Sequence, residues 1–196
     1  LATAHWTTPG ICFFPLSAWL CYRSITLFNL SPWLTLELFA SGVFLWTLME
    51  YILHRFIFHT EPAQHHQSKL RQFMLHGYHH EHTNDPRRLV APPIMSWPMA
   101  AIAYTLIYIL IGEAAAQALF AGITSGYVIY DWIHFYTHHA RPKTRFGKYL
   151  RRYHMEHHFK TPETHFGLSS PFWDIIFGTY STPTLPTRAE IEIVGT

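Results

Sequence analysis

The sequence predicts an all-α integral membrane protein with four transmembrane helices and a cytosolic helical cap. Three observations indicate this class. Charged residues make up 13% of the 196 residues, which is about half the share found in soluble domains. Hydrophobic residues make up 49% and aromatic residues 17%, and Trp and Tyr concentrate where a bilayer meets water.

Four apolar segments predict the transmembrane helices, because each is about long enough to cross a bilayer at 1.5 Å per residue. Pro15 and Arg23 interrupt the first segment, but Arg23 lies close enough to its end for the side chain to reach the interface. The predicted spans are residues 11–30, 33–53, 91–111 and 114–133. They form one domain over residues 1–180, and residues 181–196 are predicted to be a C-terminal tail.

The third and fourth spans are predicted to form an antiparallel hairpin, since only Gly112 and Glu113 separate them. Gly122 and Gly126 in the fourth span have the small-xxx-small spacing that allows transmembrane helices to approach closely. We expect these glycines to serve helix packing rather than a direct functional role.

The basic residues predict the topology. They follow the second and fourth spans, whereas residues 29–33 and 112–113 contain no Lys or Arg. By the positive-inside rule, the two polar segments that follow these spans both face the cytoplasm. We expect a multi-pass protein of the endoplasmic reticulum in a eukaryote, or of the inner membrane in a bacterium. The net charge of +2 is too small to indicate binding to nucleic acid.

Ten of the histidines lie in these polar segments, in the repeated order pair, triplet, pair, triplet. They are His54 and His59, then His76, His79 and His80, then His134 and His138, then His154, His157 and His158. Ten nitrogen ligands exceed what one ion can coordinate, so the count predicts two metal ions.

The spacing of the histidines predicts how the ions are shared. On a helix, the i, i+3, i+4 spacing of each triplet places three imidazoles on one face, within reach of a common metal. His134 and His138, at i and i+4, would bind one ion together. His54 and His59, at i and i+5, diverge by about 140° on an α-helix. We expect that pair either to serve two different ions or to span a helix end.

The ligand type leaves the metal and the chemistry open, because imidazole binds Fe, Zn, Cu and Ni. A histidine-rich metal buffer or pH sensor is one alternative. For a dinuclear site at a membrane, two uses remain, namely O2 activation by two irons and zinc-assisted hydrolysis. The membrane favours the first, because a lipid chain can slide laterally into the site. A divalent-metal transporter is an alternative from another class, although the third and fourth spans offer almost no polar ligands.

The full pattern of HX4H, HXXHH, HX3H and HXXHH resembles the fatty acid hydroxylase and sterol desaturase superfamily of membrane di-iron oxygenases. Further stretches are similar to its fatty acid 2-hydroxylase branch, and the resemblance runs from about Leu34 to Gly178. These stretches are residues 50–59, 76–80, 88–93 and 126–134, with Phe166-Gly167 and Trp173-Asp174. Sterol oxidases, sterol desaturases and carotenoid hydroxylases of the same superfamily are the alternatives.

The resemblance implies an O2-dependent oxidoreductase that hydroxylates C2 of long-chain fatty acyl groups, often those of ceramides, with two Fe ions. It implies that the ten histidines of the pattern are the metal ligands. Zn²⁺ binds nitrogen sites more tightly than Fe²⁺ and is the expected substitute in a crystal. Nothing in the sequence resembles the cytochrome b5 domain that some members carry. We therefore expect a separate electron donor, such as cytochrome b5 or a ferredoxin with its reductase.

Three further residues are candidates for supporting roles. Glu50 lies one turn before His54, and Asp131 lies three residues before His134, so either carboxylate could orient an imidazole. Tyr130 either lines the acyl path or belongs to the interfacial aromatic belt, with the belt slightly favoured. Five other histidines in these segments fall outside the pattern, and we expect none of them to be a ligand. They are His65, His66, His82, His139 and His165; His5 is distant.

Overall fold

The computed structural model describes residues 3–60 and 65–183, and within them the chain is helical without a β-strand. The all-α prediction is confirmed. The α-helices are α1 Thr8–Thr26, α2 Pro32–Ile52, α3 His66–Gln72, α4 Tyr78–Glu81, α5 Pro93–Ile111, α6 Glu113–His139, α7 Arg145–Phe159 and α8 Phe172–Ile176. A π-helical segment, Leu53–Phe58, continues α2, and a second one, Phe73–Gly77, joins α3 to α4.

Local sequence explains where the long helices begin. The Ser31 hydroxyl accepts a hydrogen bond from Leu34 N at 3.1 Å and caps α2, with Pro32 in the first turn. Thr144 caps α7 in the same way. Gly112, with φ of 77°, is the single residue between α5 and α6, a conformation that glycine adopts without strain. The predicted short connection between these helices is therefore present.

Helix α6 is the centre of the bundle and packs against α1, α2, α5 and α7. It meets α2 backbone to backbone. A Cβ atom at Gly122 would lie 2.0 Å from Phe39 O, and one at Gly42 would lie 2.1 Å from Leu119 O. A Cβ atom at Gly126 would lie 2.6 Å from the Trp46 side chain. The predicted packing role of the two α6 glycines is confirmed.

Two helical stretches among the described residues, Pro32–Phe58 and Pro93–Ile111, are long and apolar enough to cross a bilayer. No residue of α5 is buried in the chain, and Leu110 is 80% exposed. These stretches indicate a membrane protein. Arg23 of α1, predicted to reach the interface, pairs with Glu113 at the start of α6, with 3.3 Å between the charged groups. Most of the predicted tail at 181–196 lies outside the described residues, which end at residue 183.

Candidate dinuclear metal centre

The structure brings all ten histidines of the pattern together in two adjacent groups of five. In each group the candidate ligand atoms all lie within 4.8 Å of one another. Group A consists of His54, His59, His76, His80 and His157. Group B consists of His79, His134, His138, His154 and His158. The groups touch, because the ring centroids of His80 and His158 are 4.2 Å apart.

Each histidine triplet is divided between the two groups. His76 and His80 belong to group A while His79 belongs to group B. In the second triplet the division is reversed, with His157 alone in group A. The expectation that each triplet binds one common ion is therefore wrong. At 100° per residue, positions i and i+4 are about 40° apart, whereas i+3 and i+4 are about 100° apart. Each triplet therefore reaches two neighbouring groups at once.

The first pair, His54 and His59, lies in a single group because the helix changes its winding. Over Leu53–Phe58 the chain is π-helical, and His59 N donates to His54 O at 3.2 Å. An i→i+5 hydrogen bond places residues five apart on one face. The expectation that this pair serves two different ions is wrong, and the alternative that it spans a helix end agrees with the structure. His134 and His138 share group B, as predicted.

The spacing of the nitrogen atoms fits two metal ions. In group A, Nε2 of His76 lies 3.2 Å from that of His54 and 3.0 Å from that of His80. In group B, Nε2 of His154 lies 2.8 Å from that of His138 and 3.0 Å from that of His158. Neighbouring ligands about 2.1 Å from one ion, at roughly right angles, are about 3.0 Å apart.

The environment of the groups keeps the imidazoles neutral. Burial lowers the pKa of His59 to about 4, and burial together with the neighbouring His59 lowers the pKa of His80 to about 4. Burial, followed by the neighbouring His80, lowers the pKa of His79 to about 3. A neutral imidazole retains a nitrogen lone pair at neutral pH, which is the form that binds a metal.

Two imidazoles of group A are held by backbone carbonyls. His54 Nδ1 lies 2.6 Å from Phe166 O, and His157 Nδ1 lies 2.7 Å from Thr164 O. A carbonyl oxygen only accepts, so both Nδ1 atoms carry the proton and leave Nε2 free for a metal. In group B, Nδ1 of His134, His154 and His158 has no hydrogen-bond partner within the described part of the chain.

The three predicted supporting residues all lie near the groups, but Glu50 has a different partner from the one expected. Its carboxylate accepts from Ser169 N at 2.8 Å and from Ser169 Oγ at 2.5 Å, rather than from an imidazole. Asp131 is buried, and its Oδ2 has no partner among the described residues. Tyr130 packs between Trp46 and His134, with ring centroids 5.9 Å and 5.8 Å away.

The histidines outside the pattern also lie outside both groups. His65, His66, His82 and His139 are exposed. His165 is fully buried, but its Nε2 lies 2.8 Å from Ser181 Oγ rather than within a group. A depression of about 460 Å³ opens beside His80 of group A. It is lined by Tyr78, His80, Glu81, His82, Thr83, Asn84, Asp85 and Phe159.

The sequence interpretation assigned no role to Asp174, which is fully buried close to group A. Its carboxylate accepts from Phe166 N at 2.8 Å and from Gly167 N at 2.7 Å. These residues belong to the loop whose carbonyls hold His54 and His157. In the sequence, the only sign of this role was an acidic residue shortly after the Phe166-Gly167 stretch. The spacing between them does not predict that the carboxylate of Asp174 contacts the backbone of that stretch.

Comparison with known proteins agrees with this geometry. A dihydroceramide fatty acyl 2-hydroxylase of Arabidopsis thaliana is 35% identical over 96% of this chain and 78% of its own length. A ceramide very long chain fatty acid hydroxylase of Saccharomyces cerevisiae is 39% identical over 94% of this chain. This chain spans only 47% of the length of that yeast relative.

A solved structure and a family model complete the comparison. The structure of full-length scs7p, in which only the hydroxylase domain is visible, matches with a TM-score of 0.88 at 37% identity. The match covers 94% of this chain and 70% of that chain. The model of the fatty acid hydroxylase family matches residues 39–179. The chain therefore belongs to the fatty acid hydroxylase family and is an oxidoreductase, as the resemblance in its sequence predicted.

Proposed function

We propose that the chain is a di-iron, O2-dependent lipid hydroxylase that inserts a hydroxyl group at C2 of long-chain fatty acyl groups. The observation that carries this proposal is the convergence of ten histidines into two touching groups of five, next to helices apolar enough to cross a bilayer. The names of the Arabidopsis and yeast relatives support an acyl chain as the substrate, and the Arabidopsis name supports position 2.

Groups A and B would each hold one iron through Nε2 atoms. Two bound irons would supply activation of O2 for the attack on an unreactive C–H bond. The chain's own contribution is to supply ten imidazoles, several of them buried with lowered pKa values. It also fixes the donor atom of His54 and His157 through backbone carbonyls.

The proposed topology has four spans, with α1 and α6 crossing beside α2 and α5 and the histidine cap in the cytoplasm. Helix α6 is less apolar than α5, but its polar side chains face protein. Thr124 is buried, and its Oγ1 lies 2.8 Å from Ser17 Oγ of α1. A central helix that other helices cover can carry such residues in a membrane. The positive-inside pattern supports the cytoplasmic cap.

The acyl chain would approach group B from the bilayer beside Tyr130. Tyr130 contacts Trp46 of α2 on one side and His134 of group B on the other. This position supports a role in lining the acyl path over the belt interpretation. Asp131 remains the candidate for orienting His134, since Asp131 Oδ2 and His134 Nδ1 are both buried without a described partner. A bridging water would satisfy both atoms.

A separate electron donor would dock on the outer face of α7, which carries three of the ligands on its inner face. Arg145, Lys148 and Arg152 share one side of this helix at i, i+3 and i+7. Arg145 and Lys148 are exposed. A row of basic side chains on one side of a helix suits a carrier with an acidic surface.

Mass spectrometry of acyl products tests the function. Membranes containing the chain would receive ceramide or free fatty acid, Fe²⁺, labelled O2 and a reduced donor. We expect 2-hydroxy acyl products that carry one labelled oxygen atom, and none from membranes with the His79→Ala variant. Absence of product with every component supplied, or hydroxylation at a sterol or carotenoid carbon, would contradict the proposal.

A further inference from the structure

The loop from Thr164 to Ser170 provides hydrogen bonds that orient two histidines of group A. Thr164 O faces His157 Nδ1 at 2.7 Å, and Phe166 O faces His54 Nδ1 at 2.6 Å. The two carbonyls are two residues apart, and His165 between them has φ of 63°, in the left-handed region. Such a backbone turn is uncommon for a residue other than glycine and needs surrounding support.

Asp174 provides that support from outside the loop. Its Oδ1 accepts from Phe166 N and its Oδ2 accepts from Gly167 N, at 2.8 Å and 2.7 Å. A third donor, Thr179 Oγ1, lies 2.8 Å from Oδ1. Asp174 is fully buried, so no bulk water competes for these bonds. A Cβ atom at Gly167 would lie 2.8 Å from Oδ2, so the close approach requires glycine.

The support extends back to α2, the helix that carries His54. Thr179 Oγ1 lies 2.9 Å from Tyr51 OH, and Arg55 Nη1 donates to the same Tyr51 oxygen at 2.7 Å. At the far end of the loop, the Glu50 carboxylate holds Ser169 N at 2.8 Å. The loop is therefore attached to α2 on both sides of the segment that contacts His54.

Group B has no comparable support from this loop. Both carbonyl contacts go to group A ligands, and Nδ1 of His134, His154 and His158 has no partner among the described residues. Because a hydrogen bond at Nδ1 fixes the tautomer and raises the basicity of a ligand, the loop affects the two groups unequally.

We propose that Asp174 is a positioning residue for group A. By fixing the loop, it holds the imidazoles of His54 and His157 in the orientation and tautomer that bind a metal, so its loss weakens metal binding at group A selectively. This inference rests on the proposed dinuclear centre. Asp174 itself contacts neither a proposed ligand nor the proposed acyl path; it acts through the backbone of residues 164–167.

Anaerobic titration of the metal-free full chain with Fe²⁺ tests the inference, with bound metal counted after equilibrium dialysis. Asp174→Asn replaces one accepting oxygen with a donating amide, which faces a backbone N–H. We expect two ions on the wild type, and about a 10-fold weaker affinity for one of them in Asp174→Asn, the size expected for an outer partner of a ligand. Glu163→Gln, which alters an exposed carboxylate just before the same loop, should bind as the wild type does.

Double variants identify the weakened group. Asp174→Asn combined with His59→Ala of group A should bind the remaining ion as tightly as His59→Ala alone. Asp174→Asn combined with His138→Ala of group B should bind the remaining ion about 10-fold more weakly than His138→Ala alone. Asp174→Glu should restore only part of the Fe²⁺ affinity that Asp174→Asn loses, because a longer carboxylate cannot keep both short contacts.

Several outcomes would overturn the inference. An equal loss of affinity for both ions in Asp174→Asn, or no loss of affinity for either, would contradict selective positioning. If Asp174→Asn does not yield monodisperse protein, Thr179→Val tests the same network and should show a smaller loss confined to group A. A wild type that binds no metal would instead refute the proposed centre, and this inference with it.

Discussion

His59 and His157 lie 98 residues apart in the chain, yet their Nε2 atoms are 3.0 Å apart. His59 directly follows the π-helical extension of α2, and His157 comes from α7. The same arrangement recurs in group B, where Nε2 of His79 lies 2.9 Å from that of His134. An ion in either group would therefore connect the apolar bundle to the cap.

Loss of one ligand from either group should abolish turnover. We expect His157→Ala or His79→Ala to reduce the rate of 2-hydroxylation by at least about 100-fold, the upper end of what loss of an outer partner costs. Membrane insertion should be unchanged, because both residues lie beyond the apolar stretches. His82→Ala is the matched control, since His82 is exposed and outside both groups. Full activity in either ligand variant would remove that residue from the centre.

The contact between α2 and α6 should tolerate no side chain at Gly122. Gly122→Leu would place a Cβ atom 2.0 Å from Phe39 O, so the helices must separate. We expect a loss of at least about 3 kcal/mol of stability, at the upper end for overpacking. The measurement is the thermal unfolding midpoint in detergent. Ala101→Leu, on the exposed face of α5, should leave the midpoint unchanged, and an equal effect of both variants would contradict the packing account.

The metal-free protein should lose stability as the pH falls from about 6.5 towards 4. Histidines of the unfolded chain take up protons near their ordinary pKa of 6.5, whereas folding holds the pKa of His59 and His80 at about 4. Over that range the unfolded state binds more protons, so lower pH favours unfolding. Unfolding midpoints of chelator-treated protein between pH 7.5 and 4.5 measure this. A flat profile would show that the imidazoles are not buried in neutral form.

The sequence predicted the members of the site better than their arrangement. The HXXHH spacing sets the angles between the three imidazoles, but it cannot say that His79 joins a different group from His76 and His80, because that depends on where α6 and α7 pack. The i, i+5 spacing of His54 and His59 is incompatible with one α-helical face, and only the switch to π-helical winding makes it useful. The i, i+5 spacing could therefore have indicated a π-helical segment.

The supporting residues could not be assigned from spacing, for a related reason. Glu50 was expected to serve an imidazole because His54 follows it by one turn. In the folded chain its nearest donors belong to Ser169, which is 119 residues away. Asp174 acts through backbone N–H groups, which every residue except proline has, so no pattern of side chains reveals it. By contrast, the packing of Gly122 and Gly126 was predictable because their local spacing determines it.

Substitution of Tyr130 should change which acyl chains are accepted. Tyr130→Ala removes the ring that lies between Trp46 and His134, and thereby widens the proposed acyl path. We expect the product profile to move towards bulkier or longer chains. The KM for the acyl substrate should change, whereas the metal content should remain close to that of the wild type. Competition assays with a mixture of acyl lengths measure the profile. Tyr108→Ala, on the exposed part of α5, should leave it unchanged; an unaltered profile in Tyr130→Ala would favour the belt interpretation.

Charge reversal on α7 should impair electron delivery. Arg145→Glu with Lys148→Glu is expected to raise the KM for a reduced acidic donor by about 10-fold and to weaken its dependence on salt. Metal content should remain that of the wild type, because both side chains point away from the groups. Lys69→Glu, an exposed charge on α3, is the control. Equal effects at Lys69 and α7 would indicate a general effect of net charge rather than a docking surface.

Iron analysis combined with X-ray absorption spectroscopy of the anaerobically loaded chain tests the central claim most directly. The account predicts two irons per chain, coordinated without sulfur and with the multiple-scattering pattern of several imidazoles, in agreement with two groups of five histidines. One iron or none per chain, or a coordination shell without imidazole scattering, would contradict it.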